Sequence, residues 1–213
     1  MGFLKATREF IDSQYQTPKG IIGTYIGEKM VRQHKTETNW SLELMNIKQG
    51  DRILELGCGA GYAIKLIFEK DLAEEIVGLD ISTTIIRSAR RRNKRAINEK
   101  KVKLVQTDFK NLPFQNENFN TVLSIQTIYF WTDITATLSE IFRILKPKGN
   151  IILTFSDGKE EETWEGIRGI TDNKLIPSMK NAGFSDVSFI RGPDSRGYHT
   201  VAVIGSKDSM KLS

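Results

Sequence analysis

The chain has 213 residues, 39% of them hydrophobic, with one cysteine and a net charge of +5. That length suits one domain, or one domain with a small appendage, and lets the chain bury roughly 70% of its unfolded surface in a core. A single cysteine excludes an intrachain disulfide and leads us to expect a reducing, cytoplasmic setting.

The opening MGFLKATREF carries Arg8 and Glu9 and does not read as a signal peptide. Ala6 stands where myristoylation wants Ser or Thr, and the apolar runs fall far short of the ~20 residues that span a bilayer. Residues 1–50 read as a helical cap, with the main domain over 51–213. Phe3, Leu4, Thr7, Phe10 and Ile11 keep helical spacing, and Pro18-Lys19-Gly20 breaks it. Ile22, Ile26 and Met30 then share one helical face. Thr38 is the expected N-cap of a third helix, with Trp40, Leu44 and Met45 on its apolar side.

Ile53-Leu54-Glu55-Leu56 reads as a buried strand that runs into Gly57-Cys58-Gly59-Ala60-Gly61-Tyr62, and Ile64, Ile67 and Phe68 form the stripe of the helix that follows. An unpaired carboxylate inside such a strand is expensive, so Glu55 needs a reason. Glycines at alternate positions permit positive φ and let a ligand lie against the backbone. Cys58 fills the turn as a small residue.

From there strands and helices alternate. Ile76–Asp80 is the second strand, and Ser82 caps a helix carrying Ile85, Ile86, Ala89, Ala96 and Ile97. Strands are expected over 102–106, 119–125 and 151–155. Asp133 caps the helix bearing Ile134, Leu138, Ile141, Phe142 and Leu145, which Pro147-Lys148-Gly149 ends. A short helix over 173–182 stops at Gly183, and strands over 187–190 and 201–204 form a hairpin. Alternation of this kind predicts a doubly wound, mostly parallel α/β sheet.

In such a sheet ligands bind beyond the carboxyl ends of the strands. The first strand ends in the glycine turn. The second ends in Asp80, 23 positions after Gly57, where a carboxylate either accepts two ribose hydroxyls or caps the next helix. The third ends in Asp108-Phe109, suited to an adenine or to a turn before Asn111-Leu112-Pro113. The fourth ends in Gln126-Thr127. ILELGCGAG, VGLDIS, VQTDF with LPF, FNTVLSIQTIYFW and LSEIFRILKPKGNIILTF together resemble the class I S-adenosylmethionine (SAM) dependent methyltransferases, most closely their small-molecule, quinone-biosynthesis branch. The resemblance covers roughly 50–205.

The resemblance implies a Rossmann-like sheet of seven strands, mostly parallel, with the last strand antiparallel beside strand five. It implies SAM as cofactor, S-adenosylhomocysteine as product, and no metal. Gly57, with Cys58, Gly59 and Gly61 in its loop, would meet the methionine part. Glu55 would orient that loop or reach the amino group through water. Asp80 would hold the ribose beside Ile81 and Ser82, Asp108 and Phe109 the adenine, and Gln126 would lie near the departing methyl. A base is needed only where the acceptor must lose a proton. The candidates are His34, His199 and Tyr129. Tyr129, Phe130 and Trp131 either wall the acceptor pocket or belong to the core, and the stretches around Tyr15–Lys19 and over 158–171 are candidate lids.

The partner expected is a small-molecule acceptor, and the protein a monomer or homodimer. Nine cations between Arg87 and Lys103 face Glu99 alone, which is either a solvated helix face or a footprint for nucleic acid. No aromatic residue interleaves with them, and no proline follows the fourth strand as in amino-methylating nucleic-acid enzymes. A methyltransferase of RNA or protein and a non-catalytic SAM-binding module are the alternatives. Tyr62, where dinucleotide enzymes place a third glycine, argues against a dehydrogenase.

Overall fold

Glu55 sits in a strand whose neighbours are buried on both sides. The computed structural model describes residues 19–109 and 112–208. In it Asp51–Leu56 forms β1. Leu54 and Leu56 enter one apolar core and Ile53 the other, as the two-residue period of a strand requires.

β1 lies between β2 (Ala73–Asp80) and β4 (Phe119–Ile125), parallel to both. β3 (Val102–Gln106) adds outside β2, and β5 (Leu145–Lys159) outside β4, again parallel. β8 (Tyr198–Ser206) then pairs antiparallel with β5, and β7 (Ser185–Arg191) antiparallel with β8. The order is β3-β2-β1-β4-β5-β8-β7, with the two-residue β6 (Glu162–Thr163) appended to β5. The Rossmann-like sheet with an antiparallel strand beside strand five is thus present. Strand order reverses between β1 and β4, which opens a crevice at their carboxyl ends.

Helices cover both faces. One core joins Leu54, Leu56, Val77 and Phe119 to Ile134, Leu138 and Ile141 of α6 (Ile134–Ile144) and Met179 of α8 (Ile176–Ala182). The other joins Ile53, Ile76, Leu123 and Ile152 to Ile64 and Ile67 of α3 (Tyr62–Glu69), Ile86 of α4 (Thr83–Arg92), Ala96 of α5 (Lys94–Asn98), and Leu42 and Met45. Each fully buried Ile or Leu here contributes roughly 1.5–3 kcal/mol. Two earlier helices, α1 (Gly20–Gln33) and α2 (Lys35–Leu44), pack against α4 and against α3, β4 and β5 respectively.

Several expectations are corrected. Thr38 is not an N-cap. His34 occupies that position, and Thr38 lies inside α2 with its hydroxyl donated to the His34 carbonyl at 2.7 Å. The buried face of α2 is Glu37, Thr38, Ser41 and Leu42 rather than an apolar stripe through Trp40. The helix after Ser82 breaks at Asn93, whose amide donates to the Ala89 and Gly61 carbonyls at 3.0 and 2.9 Å. The helix after Asp133 ends at Ile144, not at Pro147. Leu145 already pairs with Phe119, and Lys148 at φ 65° lies in a bulge before Asn150 pairs with Thr121. The C-terminal helical stretch begins earlier, with α7 (Glu165–Ile170) and a π-helical turn over Thr171–Leu175, and stops at Gly183 with φ 105° as expected. The helix expected around Phe3–Ile11, together with Tyr15, Pro18 and Asn111, falls outside the described residues.

Candidate functional site

The crevice at the β1/β4 reversal is a cavity closed from above by the helical extension. Gly57, Cys58, Gly59 and Ala60 form one wall, Asp80, Ile81, Ile85 and Phe109 a second, and Ile125, Gln126, Thr127 and Phe130 a third. Gly27, Met30 and Val31 of α1, with His34 and Thr38, form the roof. Glu55 reaches the floor.

The turn needs its glycines for two different reasons. Gly57, Gly59 and Gly61 all have positive φ, at 71°, 52° and 74°. A Cβ on Gly57 would also stand 2.4 Å from the Thr127 methyl, while one on Gly59 would meet nothing. Gly59 is therefore open to the cavity. Gly61 is not on its wall, because a Cβ there would meet the Asn93 amide at 2.5 Å and Ala89 at 3.0 Å. It lets the start of α3 pack on α4. Gly57 and Cys58 both donate their N–H groups to the Leu79 carbonyl, at 2.8 and 2.9 Å, which fixes the turn to the end of β2.

Asp80 is built in at the same place. Its carboxylate accepts from the N–H groups of Gly59 at 3.1 Å and Ser82 at 2.9 Å. Burial nonetheless raises its pKa, those two hydrogen bonds and one from the Ile81 backbone offsetting only part of the cost. Glu55 is raised well above the usual carboxylate range, first by burial and then by the charge of Asp80, against one opposing hydrogen bond from the Ile64 backbone. It is 4% exposed, and its Oε2 has no hydrogen-bond partner among the described residues. An orphaned buried oxygen beside a second carboxylate fits a cationic ligand that donates hydrogen bonds. The same two carboxyls, with burial foremost, push the Cys58 thiol well up, so it is a filler and not a nucleophile.

The end of β4 is held by hydroxyls. Ser124 Oγ donates to the Leu56 carbonyl at 3.1 Å and lies 2.5 Å from Thr127 Oγ1, which also accepts from the Trp131 indole at 3.0 Å. Gln126 takes φ 58° and donates its N–H to the Thr154 carbonyl at 2.7 Å. The three aromatics that follow separate. Phe130 lines the cavity, and Trp131 enters the core with Phe109 edge-on at 6.3 Å. Tyr129 turns to Ser156, accepting its N–H at 2.7 Å and donating to its carbonyl at 2.8 Å. Burial pushes that phenol up to about 12.

Of the expected residues, Glu55, Gly57, Cys58, Gly59, Asp80, Ile81, Phe109, Gln126 and His34 come together on this cavity. Gly61, Ser82, Asp108, Tyr129 and His199 are not on its wall. Ser82 caps α4 by accepting from Ile85 N–H. His199 is buried under the far end of β5, with Nε2 donating to the Glu160 carbonyl at 2.6 Å. No residue of 158–171 lines the cavity, and Trp164 stacks edge-on against Tyr198 at 5.9 Å. Met30 and Val31 were missed as site residues. Their apolar side chains carry no local signal, and only the crossing of α1 over the sheet brings them to the site.

The basic segment is largely a helix face. Arg92 pairs with Glu28 and the Ala60 carbonyl, Arg95 with Glu99, and Lys103 with Glu75, leaving Arg87, Arg90, Arg91, Lys94 and Lys100 exposed. Among the described residues no group of acidic, histidine or cysteine side chains is arranged to hold a metal. No helix there is long and apolar enough to cross a membrane.

A family model described as a methyltransferase domain matches residues 54–153. The chain is 27% identical over 161 residues to the uncharacterized methyltransferase YdaC of Bacillus subtilis, covering 76% of this chain and 86% of that protein. It is 31% identical over 149 residues to a demethylmenaquinone methyltransferase of Staphylococcus saprophyticus, covering 70% of this chain and 63% of the relative. A solved SAM dependent methyltransferase from Aquifex aeolicus shares the fold, with TM-score 0.67 at 15% identity over 86% of this chain and 97% of the other.

Proposed function

Because this chain is a class I SAM-dependent methyltransferase, we propose that it transfers the methyl group to a small-molecule acceptor bound beneath α1 and α2, which act as a cap on the core. The cap is the observation that carries this reading. Met30, Val31 and Phe130 give the cavity an apolar roof and side wall, a surface that suits a compact apolar acceptor better than a polymer backbone. The demethylmenaquinone methyltransferase among its relatives, by its name, acts on demethylmenaquinone and not on a protein or nucleic acid.

Bound SAM supplies an electrophilic methyl on a sulfonium. The chain's part is to align, neutralise charge and exclude water. In this reading Asp80 accepts the ribose hydroxyls, with Ile81 and Phe109 against the adenine and Asp108 at its edge. Gly57, Cys58 and Gly59 admit the methionine part against the backbone. Glu55 faces its ammonium group, directly or through water. Gln126, at the end of β4, borders the side where the acceptor would approach.

Two measurements test this. Calorimetric titration with SAM and S-adenosylhomocysteine should show binding that Asp80→Ala weakens by at least tenfold, since two charge-assisted hydrogen bonds are lost at roughly 1.5–3 kcal/mol each. Unchanged affinity in a folded variant would remove Asp80 from the site. Cell extract incubated with methyl-labelled SAM and the protein should then carry label in its low-molecular-mass fraction. Label confined to precipitated protein or RNA would overturn the small-molecule acceptor.

A further inference from the structure

Behind the roof of the cavity lies a second buried carboxyl, and it is wired to the one histidine that faces the site. Glu37 is completely buried in α2. Its Oε1 lies 3.2 Å from His34 Nδ1, and its Oε2 accepts from Ser195 Oγ at 2.9 Å. The Arg196 guanidinium stands 3.4 Å from Oε1. Ser195 and Arg196 belong to the loop of the β7–β8 hairpin, far along the chain, so this contact is tertiary and not a local helix pair. The loop is held against α2. A Cβ on Gly192 would stand 2.7 Å from the Trp40 ring, and α2 is itself tied to β5 by Ser41 Oγ, 2.7 Å from Thr154 Oγ1.

His34 links α1 to α2, lines the cavity, and keeps 26% of its side chain exposed. Its backbone is pinned by Thr38, which donates both its N–H and its hydroxyl to the His34 carbonyl. With Nδ1 engaged by Glu37, Nε2 is the ring nitrogen left to meet a ligand in the cavity that His34 lines. We propose that Glu37 is a positioning residue that holds His34 with its proton on Nδ1, so that Nε2 serves as the base for an acceptor whose nucleophilic atom carries a proton, such as a phenolic or enolic hydroxyl.

The proposal rests on the methyltransferase reading and names the acceptor class for it. The acceptor oxygen forms a bond to the methyl carbon while the carbon–sulfur bond breaks and its electron pair returns to sulfur. The hydroxyl proton passes to His34 Nε2. The imidazolium that results lies against an ionised Glu37, the arrangement that stabilises charge on a base in acyl-transfer triads. Burial works against ionising Glu37. Hydrogen bonds from His34, from its own backbone N–H and from Ser195 more than offset it, and the carboxyl is held below its usual range. The pattern separates His34 from the other candidate. His199 donates from Nε2 to a backbone carbonyl, so the two histidines are assigned opposite tautomers.

The full chain has only these two histidines, which makes the test direct. Nitrogen-15 imidazole spectra of the intact protein, at a pH where both rings are neutral, should show His199 protonated on Nε2 and His34 on Nδ1. His199→Gln assigns the signals. Glu37→Gln should return His34 to the Nε2 tautomer that free imidazoles favour, and Ser195→Ala, a milder change, should leave it on Nδ1. S-adenosylhomocysteine should shift the His34 Nε2 signal, because ring and cofactor loop share one cavity. His34 protonated on Nε2 in the wild type overturns the proposal with no variant needed. So does a tautomer indifferent to a folded Glu37→Gln. Failure of S-adenosylhomocysteine to move the Gly57 and Gly59 amides in the same samples would instead overturn the cofactor site.

Discussion

Glu55, on the floor of the cavity, and Glu37, in the helix that roofs it, are both buried carboxyls, and their surroundings push their pKa values in opposite directions. Burial first, and then the charge of Asp80, raise the native pKa of Glu55 against a single backbone donor. A raised acid contributes stability below its unfolded value of 4.5, and that contribution is lost as pH rises through the folded value. We therefore expect Glu55→Gln to be more stable than wild type at mildly alkaline pH, with the gap closing as pH falls toward the ordinary carboxylate range. Urea unfolding at the two pH values checks this. The same variant should bind SAM more weakly, the usual trade of stability for a strained site. A cationic ligand favours ionised Glu55, so wild-type binding of SAM should release a proton. Calorimetry in buffers of different ionisation enthalpy would read that release, and Glu55→Gln should abolish it. At the same scale, methylation of a hydroxyl acceptor should lose roughly 10²–10⁴-fold in kcat in His34→Gln, with cofactor affinity retained.

Between elements, the site depends on how closely the glycine turn approaches α4. Gly61 and Asn93 make that contact. The glycine has room for no side chain, and the asparagine ties the turn's carbonyl to the end of α4. Gly61→Ala combines a left-handed conformation, at roughly 1–2 kcal/mol, with a clash against the Asn93 amide and Ala89, and should shift the urea midpoint well below that of wild type. Asn93→Ala removes the side-chain donor from two carbonyls that each keep a backbone donor, at roughly 0.5–1.5 kcal/mol each. Both should loosen the turn and weaken cofactor binding, although neither side chain is on the cavity wall. A different element behaves as scaffold alone. Gly158, on β5, has the Glu162 carbonyl and the His199 ring each 2.4 Å from a built Cβ. Gly158→Ala should cost roughly 1–3 kcal/mol by overpacking and leave affinity for S-adenosylhomocysteine unchanged.

Across the whole molecule, residues distant in sequence close the cavity together. α1 and α2 form the roof, and the loop of the C-terminal hairpin clamps α2 through Glu37, Ser195 and Gly192. Hydrogen exchange with and without S-adenosylhomocysteine should therefore slow at the glycine turn and in α1. It should stay unchanged over 158–171, which docks on β8 and not on the cavity. Protection of that segment and none of α1 would assign the lid to the wrong end of this account.

The strand-and-helix rhythm, the glycine turn, Asp80 and Phe109 were legible in the sequence because each follows a local rule. Burial on both faces makes a strand continuously apolar, helical stripes repeat at 3.6 residues, and strand ends in a doubly wound sheet face one crevice. The break at Asn93 and the polar inner face of α2 were not legible, since the partners that make them favourable lie across the structure. Gly61 and Gly59 look equivalent in the motif, and only their neighbours distinguish a packing glycine from one open to the cavity. His34 and Glu37 are three residues apart and could be read as a helical pair. His34 and the residue's own backbone lower the Glu37 carboxyl most, and Ser195 and Arg196, brought in by the hairpin, complete its partners. The sequence by itself determined the fold class and the cofactor, because periodicity and turn chemistry act over a few residues. Tertiary structure alone decided which histidine meets the cavity and what holds it, because a buried charge is tolerated only where distant donors converge on it.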